Sequence, residues 1–406
     1  MPVETSSAYA RAYAALRDGQ TAAARDLTDQ ILGEAVEARD LFPPFITRAR
    51  DYLLAHGLTT GQLHAEEERL SALLDPAGEG VDPEAAWHAL RAAADEAVRC
   101  CAVGQGDEAA ALLDAARRAW CAAHDRACDW IYGLLDAAAR HLGEEVIGAM
   151  WDALMSDFYA TRDDYAPSAR PWADSVPVLL ADAVASLRGH LSGPERMGDV
   201  DVTEEPDRWV VSFDPCGSGG RTHRPDTTSD GRARMEPPYD FAVTTGRHDW
   251  AWQREGVCLY CVHCCQLQER VPIQRFGIPL RVVDPPTWPA SRQGGKCTWS
   301  IYKDPQAIPA AVYHRVGLQK PAPQKPAPQK PAPQKPLAHP QPPHPPTRAA
   351  TGSPPRRPAR RRRARSRAAY VINVYFTNGY DDDTCGSRRP RPARSPGCGA
   401  RPESRR

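Results

Sequence analysis

The strongest constraint on the fold is a helix-forming pattern that covers almost half of the chain. Apolar residues recur at three- and four-residue steps from position 5 to position 190, in Ala- and Leu-rich segments such as AYARAYAALRDGQTAAARDLTDQIL. This period places apolar side chains on one face of an α-helix. The segment VDPEAAWHALRAAADEAVRCC also has a typical helix start, with Asp82 as the cap and Pro83 at the first position. We therefore predict a helical domain over residues 1–195.

An internal repeat is visible within this helical half. Residues 16–57 and 102–143 each contain a helix, a glycine turn, an Ala-rich helix and then a helix with aromatic residues that ends at glycine. A repeat of this kind is typical of duplicated helical hairpins. Because two Ala-rich helices also resemble each other without any duplication, both explanations stay open.

The pattern changes after position 195. Three short runs of β-branched and aromatic residues are bounded by Gly, Pro or Asp, as strands usually are: RWVVSF (208–213), IPLRVV (278–283) and CTWSIY (297–302). We expect a small, cysteine-rich α+β domain over residues 196–317. The predicted fold class is mainly α, with a helical N-terminal half, this α+β C-terminal domain and a disordered tail.

The predicted tail spans residues 318–406. Nineteen of its 89 residues are proline, and it carries 20 Lys and Arg against 4 Asp and Glu. A segment of this composition cannot bury a core, so we predict that it is disordered. Its arginine run is typical of contact with nucleic-acid phosphates or of a solvated tail, and the proline-rich setting favours the solvated tail.

Charge and targeting features narrow the class of protein. The formal net charge of zero combines −16 in residues 1–200, zero in 201–317 and +16 in 318–406. The sequence has no apolar run of membrane-spanning length, and its first residues lack the basic and apolar regions of a signal peptide. We therefore expect a cytoplasmic protein without membrane contact. In that reducing compartment, neighbouring cysteines more often bind metal than form disulfides.

The segment GVCLYCVHCCQLQERVPI holds four of the twelve cysteines within eight positions. Its C-x2-C-x2-C run can turn two sulfur atoms toward one zinc ion, which needs two further ligands. Cysteines at the ends of two predicted strands can supply them. The predicted zinc ligands are Cys216, Cys261, Cys264 and Cys297, with Cys258 or His263 as substitutes.

Two alternatives to a single metal ion remain for this cluster. The triplet also begins the iron–sulfur pattern C-x2-C-x2-C-x3-C-P, although positions 267 and 268 hold Leu and Gln. An iron–sulfur cluster would then need Cys216 or Cys297 as its fourth ligand. The cysteines could also be small buried apolar residues without a metal, but four thiols in eight positions are unusual for an ordinary core.

The segment DPCGSGGRTHR offers a second kind of chemistry. Its glycines and Arg221 could form an anion-binding turn. Cys216 could then act as a nucleophile, with His223, His248 or His263 as its base. The alternative is a flexible turn without chemistry, which the incomplete phosphate-loop pattern favours.

Polar residues also share one face of a predicted helix. Helical spacing places three side chains on one face: Cys121, His124 and Cys128. Asp125 and Asp129 each follow one of them by one residue and lie beside that face. A metal or a substrate could meet them there. Because Ile131 and Leu135 continue the same stripe, a core face with one polar pair is the favoured interpretation.

Four segments carry a resemblance to a known group: HDRACDWIYGLL, SFDPCGSGGR, LYCVHC and CTWSIYKDP. Over residues 100–317 the chain resembles a bacterial group related to L-2-amino-thiazoline-4-carboxylic acid hydrolase-like proteins. The resemblance implies a helical domain joined to a small cysteine-bearing part, and hydrolytic opening of a small ring that contains sulfur and nitrogen. The positions it concerns are His124, Asp125, Cys216, Cys261, His263 and Cys264. Cys258, Cys265 and the segment after Gly317 depart from it.

These features lead to three functional hypotheses. The first is a zinc-dependent hydrolase of a small-molecule substrate, in which His263 or His248 moves the proton and His124 and Asp125 take part. The second is a non-enzymatic helical interaction module with a structural zinc site, and the third is an iron–sulfur redox protein. A metal position open to a pocket lined by His124, Asp125 or Arg221 would favour the hydrolase.

Overall fold

The structure, a computed structural model, describes residues 4–78, 80–228 and 230–322. Eight α-helices occupy its N-terminal part: α1 (Ala8–Arg17), α2 (Thr21–Ala55), α3 (Thr60–Leu74), α4 (Pro83–Ala102), α5 (Gly106–Leu142), α6 (Ile147–Leu154), α7 (Ser156–Arg162) and α8 (Trp172–Gly189). The prediction of a helical N-terminal half is confirmed. At the start of α4, the Asp82 carboxylate accepts hydrogen bonds from the backbone N–H groups of Glu84 and Ala85, as the sequence predicted.

The two longest helices occupy equivalent places in the predicted repeat. Helices α1 and α2 are joined at Gly19, and helices α4 and α5 at Gly104, where both glycines have positive φ angles. The sequence suggested an Ala-rich helix followed by a separate aromatic one in each repeat, but the structure has a single helix in each case. Helix α2 even continues through Pro43 and Pro44, whose side chains face solvent, while Phe42 and Phe45 beside them are buried.

Helix α5 lies at the centre of the helical part. It packs against α1, α2, α3 and α4. Its C-terminal half is buried on nearly every side, with Ile131, Tyr132 and Leu135 inaccessible to solvent. Any charged residue on this stretch must therefore find a partner inside the protein.

Four antiparallel strands form one small sheet in the order β1-β2-β4-β3: β1 (Asp201–Glu204), β2 (Arg208–Phe213), β3 (Val282–Asp284) and β4 (Cys297–Tyr302). Strands β2 and β4 match the prediction, and their register places Phe213 opposite Cys297. The run at 278–283 is mostly not a strand, because Leu280 donates its backbone hydrogen bond to the Gln268 carbonyl. Strand β1 was missed, since its sequence DVTE is mostly exposed and polar.

Short helices complete the cysteine-rich part: α9 (Val262–Cys264), a π-helix (Cys265–Arg270), α10 (Val271–Phe276) and α11 (Ala310–His314). Helix α8 packs on β2 and β4, and the Trp172 indole donates to the Tyr302 carbonyl at 2.8 Å. The helices and the sheet thus share one hydrophobic core, and a domain boundary near residue 195 stays a prediction.

The C-terminal end of the described chain is attached to this core. Leu318 packs against it, and the Lys320 ammonium donates to the carbonyls of Gln306 and Ile308. The predicted tail from residue 323 onward lies outside the described residues. Within the described ranges, no helix combines the length and apolar character needed to cross a membrane.

Candidate metal centre

The glycine-rich segment after β2 is a tightly packed turn. A Cβ atom would fall 1.6 Å from the His190 carbonyl oxygen at Gly217, and 2.6 Å from the Cys261 sulfur at Gly219. At Gly220 it would fall 2.8 Å from Cβ of Cys216. These glycines are therefore required by the close approach of neighbouring segments, and a flexible turn does not account for them.

The second half of the centre is the segment around Cys258. This cysteine forms an isolated β-bridge with Val243, after which the backbone N–H of Cys261 bonds to the Cys258 carbonyl. The backbone N–H of Cys264 likewise bonds to the Cys261 carbonyl, and the chain then enters the π-helix. Successive turns of this kind bring the first two sulfur atoms of the C-x2-C-x2-C run close together.

His223 completes a group of three ligand-type side chains. It ends the short 3-10 turn Gly220–His223 and is only 1% exposed. One of its ring nitrogens and the sulfur atoms of Cys258 and Cys261 all lie within 4.8 Å of one another. Its Nδ1 is hydrogen-bonded to the Ser291 hydroxyl at 2.7 Å, whereas its Nε2 has no hydrogen-bond partner among the described residues. A buried ring nitrogen without a hydrogen-bond partner, on a side chain beside two thiols, is available to bind a metal ion.

The sequence had suggested His223 only as a base for Cys216. No motif spacing pointed to it as a ligand, because 34 residues separate it from Cys258. Its one local signal was its position four residues after Gly219, the glycine that the structure places against Cys261.

Four of the predicted ligands line one small cavity beside this group: Cys216, Cys261, Cys264 and Cys297. The cavity has a volume of about 20 Å³, which is room for one water molecule or one ion. Its remaining wall is mainly apolar and includes Phe213, Trp252 and Trp299. Cys261 belongs both to this cavity and to the group with His223, so the two arrangements share one sulfur atom.

The thiols of the centre differ in pKa. Burial raises the pKa of the Cys264 and Cys297 thiols well above the usual value. Burial also acts to raise the pKa of Cys258, but the interactions with the Cys261 thiol and with the charge that the His223 ring can carry outweigh it and hold that pKa well below the usual value. The hydrogen bond with Cys258 raises the pKa of Cys261 well above the usual value, so the pair favours one thiolate, which is the form that binds a metal ion.

Two of the predicted catalytic histidines lie in different surroundings. His263 lines the thiol cavity, with its Nε2 at 3.3 Å from the Cys264 sulfur and its Nδ1 at 2.6 Å from the Tyr260 carbonyl. His248 lies outside that cavity. Its Nε2 is 2.6 Å from the Glu144 carboxylate, and its ring stacks on Trp250 at 4.2 Å. Of these two histidines, His263 is therefore the one placed to exchange a proton with the thiols.

The polar face of helix α5 forms a buried ion-pair cluster, which we define as Asp125, Asp129, Arg196, Arg221 and Arg234. Asp125 lies 2.7 Å from Arg196 and 3.0 Å from Arg221, and Asp129 lies 2.5 Å from Arg221 and 2.8 Å from Arg234. Burial acts to raise the pKa of Asp125, but the two arginines hold it far below the usual value. Arg221 points inward to α5, so it cannot serve an anion in the glycine-rich turn.

The remaining residues of this helix face are also engaged. His124 is 1% exposed, with Nδ1 at 3.0 Å from Asp125 and Nε2 at 2.9 Å from Nδ1 of His190. The Cys128 thiol lies 3.6 Å from the Tyr260 hydroxyl, and the Cys121 thiol lies 4.0 Å from Asp125. This face is a packed ionic core, and His124 is not among the described residues that line the thiol cavity.

Asp125 lines a second cavity, of about 380 Å³, that includes no cysteine among its described lining residues.

Comparisons of the chain with protein-family models, with curated proteins and with solved structures found no match. The resemblance to thiazoline-carboxylic acid hydrolase-like proteins therefore stays a hypothesis, and the functional argument depends on the geometry of this chain.

Proposed function

We propose that the protein binds one zinc-type metal ion through His223, Cys258 and Cys261. The observation that carries this proposal is the buried His223 side chain: one of its ring nitrogens lies within 4.8 Å of two thiols, and its Nε2 has no hydrogen-bond partner among the described residues. The hydrogen bond between Nδ1 and Ser291 supports it, because metal-binding histidines are usually oriented through their second nitrogen.

The donor set suits zinc. One imidazole and two thiolates are ligands that zinc accepts in both structural and catalytic sites. Four-coordinate zinc needs one more ligand, and the thiols of Cys216 and Cys264 line the cavity next to Cys261. Either sulfur would complete a Cys3His site, which is a structural type.

We further propose that the ion is structural. The ligands are buried or half-buried, and the cavity beside Cys261 has room for about one water molecule. The cavity that Asp125 lines is separate from the cysteines. A metal ion at His223 would therefore join the turn after β2 to the segment around Cys258, and the protein would be a helical interaction module stabilised by zinc.

A second candidate is the metal-assisted hydrolase, which one observation favours. Two cysteines and one histidine with a water-sized cavity beside them are also the ligand pattern of some catalytic zinc sites. When bound, the ion would activate water. His263 lies on the wall of that cavity with Nε2 toward Cys264, where it would accept a proton.

Metal analysis of full-length protein purified without oxygen tests the first proposal. We expect about one zinc per chain, and loss of zinc in His223→Ala and Cys258→Ser. Cys265→Ser is the matched control, because the Cys265 sulfur faces the Asp249 carbonyl at 3.6 Å and should not reach the ion. Zinc retained in His223→Ala would refute the assignment, and a brown protein with iron would indicate the iron–sulfur alternative.

Cobalt substitution separates the structural from the catalytic candidate. Cobalt in a closed site of four protein ligands should give a visible spectrum that azide does not change. A spectral change on addition of azide would show an exchangeable position and would favour the hydrolase. The Cys216→Ser and Cys264→Ser variants, measured in the same way, should identify the fourth ligand by the spectrum that they alter.

A further inference from the structure

The larger cavity lies between the C-terminal end of α3, one face of α5 and the segment 230–239. Its volume of about 380 Å³ is within the range of small-molecule binding sites. Three aspartates and three arginines line it: Asp125, Asp129, Asp230, Arg126, Arg232 and Arg234. Which of these groups still has unused hydrogen-bonding capacity indicates the ligand that the cavity would accept.

The carboxylates of this wall are already engaged. Asp125 and Asp129 are each paired with two arginines in the ion-pair cluster. Asp230 accepts hydrogen bonds from Arg234 Nη1 at 2.8 Å and from the Tyr239 hydroxyl at 2.5 Å. A cationic ligand would have to compete with these internal partners.

The arginines of the wall retain unused donors. Arg232 is exposed, and its guanidinium has no partner among the described residues. Arg234 is only 4% exposed in its side chain and uses Nε and Nη1, while its Nη2 donates to no acceptor in the described part of the chain. Arg126 donates through Nη1 to the Leu74 carbonyl, and its Nη2 lies 3.7 Å from Asp75.

The rest of the lining is apolar. Leu73, Leu74, Pro76 and Val81 form one side, and Pro238 lies on another. The Tyr239 ring also lines the cavity and stacks against the Arg234 guanidinium at 4.2 Å. A ligand for this cavity therefore needs an apolar body as well as hydrogen-bond acceptors.

We propose that this cavity binds a small organic anion, a carboxylate or a phosphate monoester with an apolar body. The acidic group lies against Arg232 and Nη2 of Arg234, where charge-assisted hydrogen bonds are strongest. The apolar body packs against the leucine and proline side chains. The proposal goes beyond the metal centre, because no ligand of that centre lines this cavity.

Calorimetric titration of the full chain with four probes tests this proposal. The probes are 3-phenylpropionate and phenyl phosphate as anions, with 3-phenylpropylamine and 3-phenylpropanol as the cationic and neutral controls. We expect at least one anion to bind at least tenfold more tightly than both controls, and the better anion identifies the acidic group. Equal binding of anion and amine, or no binding of either anion at millimolar concentration, would overturn the proposal.

Arg232→Gln localises the site. We expect it to weaken binding of the better anion at least tenfold, because it removes the unpaired guanidinium. Arg91→Gln is the matched control: Arg91 is exposed on α4, outside the cavity, so the same loss of charge should change binding less than twofold. Equal effects of the two variants would refute the site. Cys258→Ser should still bind the anion, so failure of the metal proposal leaves this one testable.

Discussion

One turn of this protein carries two buried polar side chains, and the two differ in how their charge and hydrogen-bonding capacity are satisfied. Arg221 and His223 are two residues apart on the 3-10 turn Gly220–His223. Arg221 joins the ion-pair cluster, in which each buried carboxylate lies beside two arginines of the same chain. His223 instead lies beside two thiols, and its Nε2 has no hydrogen-bond partner among the described residues.

The difference shows what the chain can supply by itself. Charges of opposite sign balance each other without any added component, provided that each lies close to its partner. When Nδ1 of His223 carries the ring proton and donates it to Ser291, Nε2 offers a lone pair, as a thiolate does, and a shared cation can then satisfy both. We infer that the charges of the ion-pair cluster are balanced in the metal-free protein, although Nη1 of Arg221 has no hydrogen-bond partner among the described residues, and that the metal centre lacks its cation.

The largest effect should come from breaking the ion-pair cluster. Arg221→Met leaves Asp125 and Asp129 with one arginine each in a buried site, and we expect a loss of about 3–5 kcal/mol in the free energy of unfolding. Denaturant unfolding of the zinc-loaded protein measures it. Arg91→Met, on the exposed surface of α4, should change stability by less than about 0.5 kcal/mol. Equal stabilities of the two variants would mean that the cluster contributes little.

The stability that the metal centre contributes should instead depend on the concentration of free zinc. At free zinc one hundred times the dissociation constant, binding stabilises the folded protein by about 2.7 kcal/mol. We expect Cys261→Ser to lose most of this stabilisation and Cys265→Ser to keep it. With a chelator present, wild type and Cys261→Ser should differ by less than about 1 kcal/mol. A difference that is unchanged by chelator would show that Cys261 acts by packing alone.

The histidine pair beside the ion-pair cluster should make stability depend on pH. Burial lowers the pKa of His124, and lowers that of His190 well below its usual value. Below about pH 6.5 the unfolded chain therefore binds protons that the folded protein does not, so stability falls as the pH falls. We expect a loss of up to about 1.4 kcal/mol per pH unit from His190 alone.

His190→Gln provides the comparison for this prediction. The variant keeps a hydrogen-bond donor for His124 but removes one titrating group, so its stability should fall less steeply than that of wild type between pH 6.5 and pH 5. Unfolding curves at matched zinc concentration measure both slopes, because any effect of the metal centre is then common to the two proteins. Identical slopes would contradict a neutral, buried His190.

The smallest expected effect concerns the tight turn. Gly219→Ala would place a Cβ atom 2.6 Å from the Cys261 sulfur, so that sulfur must move away from its place in the metal centre. We expect zinc affinity to fall about tenfold, which corresponds to about 1.4 kcal/mol. Gly33→Ala on helix α2 is the control, because no described atom outside the neighbouring backbone of that helix lies within 4 Å of its added Cβ. Competition with a zinc chelator dye measures both affinities.

Sequence reasoning worked where structure depends on neighbours along the chain. The helix start at Asp82 and the strands β2 and β4 follow from local residue types and periodicity. Cys216 and Cys297 were expected near the cysteine cluster because each lies at a strand end, and the structure does place them at one cavity with Cys261 and Cys264.

The parts that sequence reasoning missed depend on distant segments. His223 is oriented by Ser291, 68 residues further along the chain, and no local spacing indicates that contact. The two aspartates of α5 were recognised as neighbours, but their arginine partners come from loops after the helix, up to 105 residues away. Contacts between such distant segments depend on tertiary packing, which the periodicity of residues along the sequence does not indicate.

X-ray absorption at the zinc edge, on full-length protein purified without oxygen, tests the central claim most directly. We expect a four-coordinate shell with one nitrogen at about 2.0 Å and sulfur atoms at about 2.3 Å, and loss of the nitrogen in His223→Ala. A shell of four sulfur atoms would contradict the account, because it would place the ion at Cys216, Cys261, Cys264 and Cys297 without His223. A protein that contains no zinc and does not bind it would contradict the account as well.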